Sequence, residues 1–179
     1  MLTVGAMGIV YIHELCNNTF LCELIHIIDD ISEFEVLEVS VSGDGMVVGV
    51  TSRENMGAKI IERIGDGFQQ RGTDTLSYGK AGGISLNYNG TIAIVGDAHW
   101  DSRTVAGRAV VAGVFQWKDD KEYGSMQWMQ MGSDITGVFA RDYLGVYGCV
   151  SITYDGLTVA VGAQGPTKRG LVVYTITTH

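Results

Sequence analysis

The 179-residue chain is 46% hydrophobic and 18% charged, a balance that supports one substantial core and argues against a disordered or membrane-inserted protein. Twelve basic residues against 20 acidic ones give a net charge of −8, and no basic run exceeds Lys168-Arg169, so a phosphate backbone is repelled and nucleic acid is set aside as a partner. Glycine supplies 25 residues and proline one, so turns are made by flexible φ and many short strands are expected.

The opening MLTVGAMGIVYI is apolar but carries no basic n-region and no small-residue cleavage pattern, so it reads as strand, not as a signal peptide. Leu2-Thr3-Val4-Gly5 is its first run, Gly8-Ile9-Val10-Tyr11 its second and Phe20-Leu21-Cys22-Glu23-Leu24-Ile25 a looser third. Cys16 and Cys22 flank Asn17 to Leu21 symmetrically, so a hairpin would oppose them. Directly opposed strand positions rarely suit disulfide geometry, which leaves buried thiols as the plainer reading and pairing as the alternative. A glycosylation triplet, Asn17-Asn18-Thr19, falls at that predicted turn, and a second, Asn89-Gly90-Thr91, at a later one.

From residue 39 a pattern repeats. VSVSGDGMVVGVTS (39–52), ISLNYNGTIAIVGDA (84–98) and VSITYDGLTVAVGA (150–163) each place an Asp-Gly or Asn-Gly between apolar runs, the strongest short-range hairpin signal because both central residues of a two-residue turn must accept positive φ. The runs ending in Gly5, Gly49, Gly96 and Gly162 are spaced by 44, 47 and 66 residues. Third strands follow at Gly57 to Ile61, Gly107 to Val111 and Gly170 to Tyr174, and fourth strands at Phe68 to Asp74 and Trp128 to Asp134. Added length in the third unit is assigned to protruding loops at 97–106 and 118–125.

Four-stranded units of about 45 residues without helical periodicity predict an all-β propeller-like array of antiparallel blades. The units run approximately 1–31, 32–76, 77–137 and 138–179 within a single domain. The count of fourteen strands makes about three and a half blades, an open arc that needs completion by more chain, by a homodimer mate or by another protein.

Leu144-Gly145-Val146-Tyr147-Gly148-Cys149-Val150-Ser151-Ile152, then Asp155-Gly156 and Val159-Ala160-Val161-Gly162-Ala163, resembles the FG-GAP repeat of integrin-alpha-type β-propellers, in its shorter variant. The resemblance covers most of the chain and is best from 68 to 176, with Tyr78-Gly79 and Leu144-Gly145 where the family has Phe-Gly. It implies a binding or adhesion domain, often holding calcium in loops of the pattern Asp-x-Asp/Asn-x-Asp-Gly. The turns at 42–45, 87–90 and 153–156 supply too few carboxylates for six to eight oxygen ligands, so no cofactor is expected there.

Asp97, His99 and Asp101 would share one side of an extended strand, a donor set for a divalent metal if a fourth ligand approached; solvated loop side chains are the plainer reading. Trp100, Trp117 and Trp128 offer an aromatic platform for a sugar or peptide, against packing between blades. No nucleophile elbow, phosphate loop or His-Glu-x-x-His is present, and pairs such as Asp29-Asp30 alternate faces in strands, so no catalytic residue is assigned. The expected role is a non-enzymatic protein-interaction or scaffold module. The alternative is an extracellular carbohydrate-binding or metal-dependent adhesion domain, toward which the two triplets and the resemblance lean.

Overall fold

A computed structural model of the chain describes residues 2–6, 9–15, 22–28, 36–52, 57–72, 76, 81–97, 111–122, 124–136, 149–164 and 169–176. The alternating and aliphatic runs form strands β1 (Leu2–Ala6), β2 (Ile9–Leu15), β3 (Cys22–Ile28), β4 (Val36–Val41), β5 (Val47–Ser52), β6 (Ala58–Ile64), β7 (Gly67–Gln70) and β8 (Ala81–Leu86). They continue with β9 (Ile92–Asp97), β10 (Val111–Asp120), β11 (Ser125–Gln130), β12 (Ile135–Thr136), β13 (Val150–Ile152), β14 (Thr158–Gln164) and β15 (Arg169–Thr175). No helix occurs among the described residues. Cys16 and the triplet at 17–19 lie outside them, as does the Cys16–Cys22 question.

Strands neighbouring in sequence pair antiparallel into four sheets: β1-β2-β3, β4-β5-β6-β7, β8-β9-β10-β11 with β12 also on β10, and β13-β14-β15. β12 is the resumption of β11. Met131 N–H still bonds Val114 C=O at 2.7 Å, and the strand rejoins at Ala112↔Ile135 after Gly132. The second sheet does the same, with Arg71 N–H on Ile60 C=O and a bridge Ala58↔Leu76. Counted this way, the described residues form fourteen strands, in two four-stranded meanders flanked by two three-stranded sheets.

Three expectations are corrected. The third strand of the third sheet runs over Val111–Asp120, well past the expected end at 111, with Ala112 pairing with Gly96; residues 107–110 lie outside the described residues. Nor is 118–125 a protruding loop: β10 and β11 pair through Asp120↔Ser125, leaving only a tight turn closed by Gly124 N–H on Asp120 C=O. Finally, Asp-Gly and Asn-Gly are not the central pair of a two-residue turn. Gly45 N–H bonds Ser42 C=O, Gly90 N–H bonds Asn87 C=O and Gly156 N–H bonds Thr153 C=O, so each glycine is the fourth turn residue, at φ 75, 63 and 77.

Cross-strand register aligns the repeats by chemistry. Ser40 opposes Gly49, Ser85 opposes Ile94 and Ser151 opposes Ala160. Gly49 is therefore equivalent to Ile94 and not to Gly96. Its missing Cβ makes room for Ile84 of the next sheet, whose Cδ1 would lie 2.5 Å from such an atom.

Sheet faces alternate by two, so each inner sheet buries both faces against its neighbours. Ile12 of the first sheet meets Val48, Val50 and Ile61 of the second. Val47, Ala58, Ile60 and Leu76 meet Ile84, Leu86, Ala93 and Val95 across the next seam. Ile92, Ile94, Ala112, Val114 and Ile135 meet Val150, Val159 and Val161 across the last. Polar bonds cross the same seams: Leu86 N–H donates to Ser40 Oγ at 3.1 Å and Ile152 N–H to Ser85 Oγ at 3.3 Å.

Candidate functional site

The three equivalent turns close in one way. In each, the side chain of the first turn residue reaches the strand that leaves the turn: Val47 N–H donates to Ser42 Oγ, Ile92 N–H to Asn87 Oδ1 and Thr158 N–H to Thr153 Oγ1, at 2.9 to 3.0 Å. The third residue accepts within the turn. Asp44 Oδ1 takes bonds from Ser42 Oγ and Met46 N–H, Asn89 Oδ1 from Thr91 Oγ1 and N–H, and Asp155 Oδ1 from Thr153 Oγ and Leu157 N–H. The Thr153 hydroxyl bond, then the Leu157 amide, hold the Asp155 carboxyl below its ordinary pKa. These turns do not fit calcium: the first and third offer one carboxylate each, Asp44 and Asp155, the second only the amides of Asn87 and Asn89, and every one of these Oδ1 atoms already accepts two bonds. No cluster of three or more metal-ligating side chains occurs among the described residues.

Turns of successive sheets are tied directly. Asp44 N–H donates to Tyr88 C=O at 2.9 Å and Tyr88 N–H to Tyr154 C=O at 3.1 Å. On this backbone column the Tyr88 and Tyr154 rings stack, with centroids 4.2 Å apart and planes 23° from parallel. Glycine stands at the same place in the preceding turn because a Cβ on Gly43 would overlap the Tyr88 ring. Tyr154 is 70% exposed, and Met46 and Leu157, equivalent to each other in the repeat, are exposed beside their turns. Desolvation against its neighbour raises the Tyr154 pKa, followed by the hydrogen bond to Tyr88 and the charges of Tyr88 and Asp44. This turn end is an apolar, aromatic surface with an acidic border. Sequence reasoning missed it, although Tyr88 and Tyr154 precede Asn89-Gly90 and Asp155-Gly156 identically.

The residues singled out from sequence are distributed otherwise. Asp97 ends β9 opposite Ala81, while His99, Trp100 and Asp101 lie outside the described residues. Trp117 and Trp128 oppose each other across β10 and β11, their rings 5.6 Å apart and tilted by 50°. Both are half-buried on the second sheet: Trp128 Nε1–H donates to Arg71 C=O, the Arg71 guanidinium lies 5.7 Å from the Trp117 ring, and Gly72, at φ +90, leaves space for both indoles. Arg71 also pairs with Glu62 at 2.5 Å and donates from Nη1 to Gly90 C=O at 2.8 Å. One guanidinium thus fastens Glu62 of its own sheet, the next turn and Trp117 of the next sheet, while the Arg71 carbonyl holds Trp128. Arg71→Ala is expected to cost about 2 kcal/mol, near the low end for a bond to a charged group because Glu62 is partly solvated. Chemical denaturation checks this against Lys118→Ala, an exposed position expected to change stability by less than about 0.5 kcal/mol.

No family model and no curated protein matches the sequence. Solved structures do match over nearly its whole length, and they are propeller-type folds. The fold is a β-propeller arc. It is similar to a chain of the nidogen/laminin complex (TM-score 0.60, 12% identity, covering 97% of this chain and 56% of that one). It is also similar to a candidate 6-phosphogluconolactonase from Bacteroides uniformis (0.55, 11%, 95% and 49%). A protein from Lactobacillus plantarum matches with TM-score 0.50 and 13% identity over 92% of this chain and 48% of its own. The chain spans about half the length of these propellers, and at such identities the likeness concerns fold alone. Its sheets are hereafter called blades.

Proposed function

We propose that this chain is a non-enzymatic protein-interaction module of FG-GAP-like propeller blades, binding a partner through its turn end. The observation that carries the reading is Tyr154, 70% exposed yet stacked on Tyr88 and fixed by backbone bonds on both sides of the seam. A rigid aromatic anchor with apolar neighbours is what a binding hot spot requires, because little side-chain entropy is lost on contact. Asp44 and Asp155 at its border suit a partner that presents a basic group beside an apolar side chain. The FG-GAP-like part of the reading is supported by Tyr78-Gly79 and Leu144-Gly145, each followed by an Asx-Gly turn and an aliphatic run ending in glycine.

A carbohydrate-binding adhesion domain is the second reading, favoured by the same stacked rings, since a sugar face packs on flat aromatic surfaces. Peptide display and a glycan panel, both with the 179-residue chain as bait, separate the two. Peptides combining aromatic or aliphatic with basic residues are expected, with binding weakened at least about tenfold by Tyr154→Ala, as for a hot-spot residue. Retention of glycans without peptides would favour the second reading. Loss of that retention with a chelator would bring a metal at Asp97, His99 and Asp101 back into consideration.

A further inference from the structure

One turn of the column differs from its neighbours in a single functional group. Asp44, Asn89 and Asp155 hold the same place in the three turns, each accepting at Oδ1 the amide two residues on and a serine or threonine hydroxyl. The outer two are carboxylates and the middle one an amide, and glycine follows all three. Both flanks of the middle turn are occupied, since Asp44 N–H donates to Tyr88 C=O and Tyr88 N–H to Tyr154 C=O.

We propose that Asn89 is a site of spontaneous deamidation, which turns it into aspartate and lines up three carboxylates along the turn end. The side chain is exposed, and its Nδ2 makes no bond among the described residues, so ammonia can leave directly to solvent. Thr91 donates to Asn89 Oδ1 from its hydroxyl at 2.6 Å and its N–H at 3.3 Å, where negative charge develops once Cγ is attacked. The attacking group is the amide nitrogen of Gly90, which has no side chain to obstruct it. Its hydrogen bond to Asn87 C=O is 3.2 Å, the longest of the three equivalent turn bonds, against 2.9 Å for Gly45 and for Gly156. Asn87 supplies the contrast. Its Oδ1 also accepts two amides, but it is 5% exposed, and the amide that follows belongs to Tyr88 and is held on Tyr154 C=O at 3.1 Å.

Hydroxide takes the Gly90 amide proton and the nitrogen bonds to Asn89 Cγ. The Cγ–Nδ2 bond breaks and ammonia leaves with a proton from water, which restores the hydroxide and gives a succinimide ring. Water then adds to one ring carbonyl, the bond from that carbonyl to nitrogen breaks, and the nitrogen regains a proton. Opening at Cγ yields aspartate; opening at the main-chain carbonyl of residue 89 yields isoaspartate, which lengthens the main chain. The sum is asparagine plus water to aspartate plus ammonia, with nothing oxidised or reduced. Asp44 and Asp155 show that aspartate is accommodated, since they already make the same bonds. Isoaspartate is not, because it displaces Gly90 from its close fit against Val47. The consequence for binding rests on reading this end as a protein-interaction surface: the added charge strengthens a basic partner's binding about two- to fivefold, as for an exposed charge pair.

Timed incubation of the native 179-residue chain at mildly alkaline pH, followed by peptide mapping with mass spectrometry, tests it. Conversion is expected at Asn89, faster as pH rises and well ahead of Asn87, at a rate unchanged by urea below the unfolding transition. Asn89→Asp is expected to keep the wild-type urea midpoint, whereas chains isolated with isoaspartate at 89 should show a lower one. An amide at 89 that stays intact in the native chain while the urea-unfolded chain loses it overturns the inference. So does a rate that climbs with the unfolded fraction, which would make the reaction a property of the unfolded chain and not of this turn. Binding of basic, apolar peptides to the wild type and to Asn89→Asp separates the two readings: conversion without peptide binding removes the interaction reading alone, and peptide binding with residue 89 intact removes the deamidation alone.

Discussion

Gly90→Ala is expected to be among the most damaging single substitutions in the chain, lowering stability by about 2–5 kcal/mol. Two costs combine. Gly90 sits at φ +63, where an L side chain costs about 1–2 kcal/mol. An alanine Cβ would also overlap the Cβ and both methyls of Val47, which is fully buried in the preceding blade and anchored close to its own backbone. Overpacking of that kind adds about 1–3 kcal/mol. Gly156→Ala should cost less, because the atom it meets, at 2.6 Å, is the Cδ1 end of Ile92. Gly124→Ala isolates the backbone cost: φ is +61 and nothing lies within 4 Å. Urea midpoints of the three variants at constant m provide the check. Equal losses at Gly90 and Gly124 would show that Val47 moves aside freely and that the seam is looser than its burial indicates.

Ile94→Ala is expected to cost about 3–4 kcal/mol, within the range for truncating a buried isoleucine. Ile94 is inaccessible to solvent and fills the centre of the seam against Val150, Val159 and Val161. Strands hydrogen-bonded on both sides resist collapse into the space left behind, so most of the cavity persists. The last blade has no further seam among the described residues to compensate, so exchange in β13 and β14 should accelerate before exchange in β5. Met126→Ala, at an exposed position of β11, serves as the comparison and should stay within about 0.5 kcal/mol. A global loss without preferential exchange in β13 and β14 would mean that the seams do not open separately.

Much of this architecture is legible in sequence because one constraint repeats. Residues 39–52, 84–97 and 150–163 read as strand, turn and strand since alternation and an Asx-Gly pair must occur together wherever a buried hairpin closes. The limits arise where one residue type answers two demands. Gly49 looks like the partner of Gly96, yet Gly49 admits Ile84 and Gly96 pairs with Ala112; only the register distinguishes them. Val111 ends one aliphatic stretch and begins another, so the third strand of its blade is cut short when read from hydrophobicity alone. The tyrosine stack was invisible for a different reason. Tyr88 and Tyr154 are 66 residues apart, and only the coincidence of their turn positions, given meaning by the stacking of blades, brings them together. Trp117 and Trp128 drew attention as aromatic residues, whereas their setting is decided by Arg71 and Gly72 on another blade.

The bonds across the seams run in both directions. Turn amides of the earlier blade reach carbonyls of the later one, while strand amides of the later blade reach serine hydroxyls of the earlier one. The blade of β8–β11 therefore carries a socket on one side and a plug on the other, drawn from its own residues. Exchange of whole units is still limited by the apolar faces, since Gly49 admits Ile84 at one seam whereas Ile94 fills the equivalent position at the next. Point changes in a serine or a turn glycine disable a joint and not merely a residue.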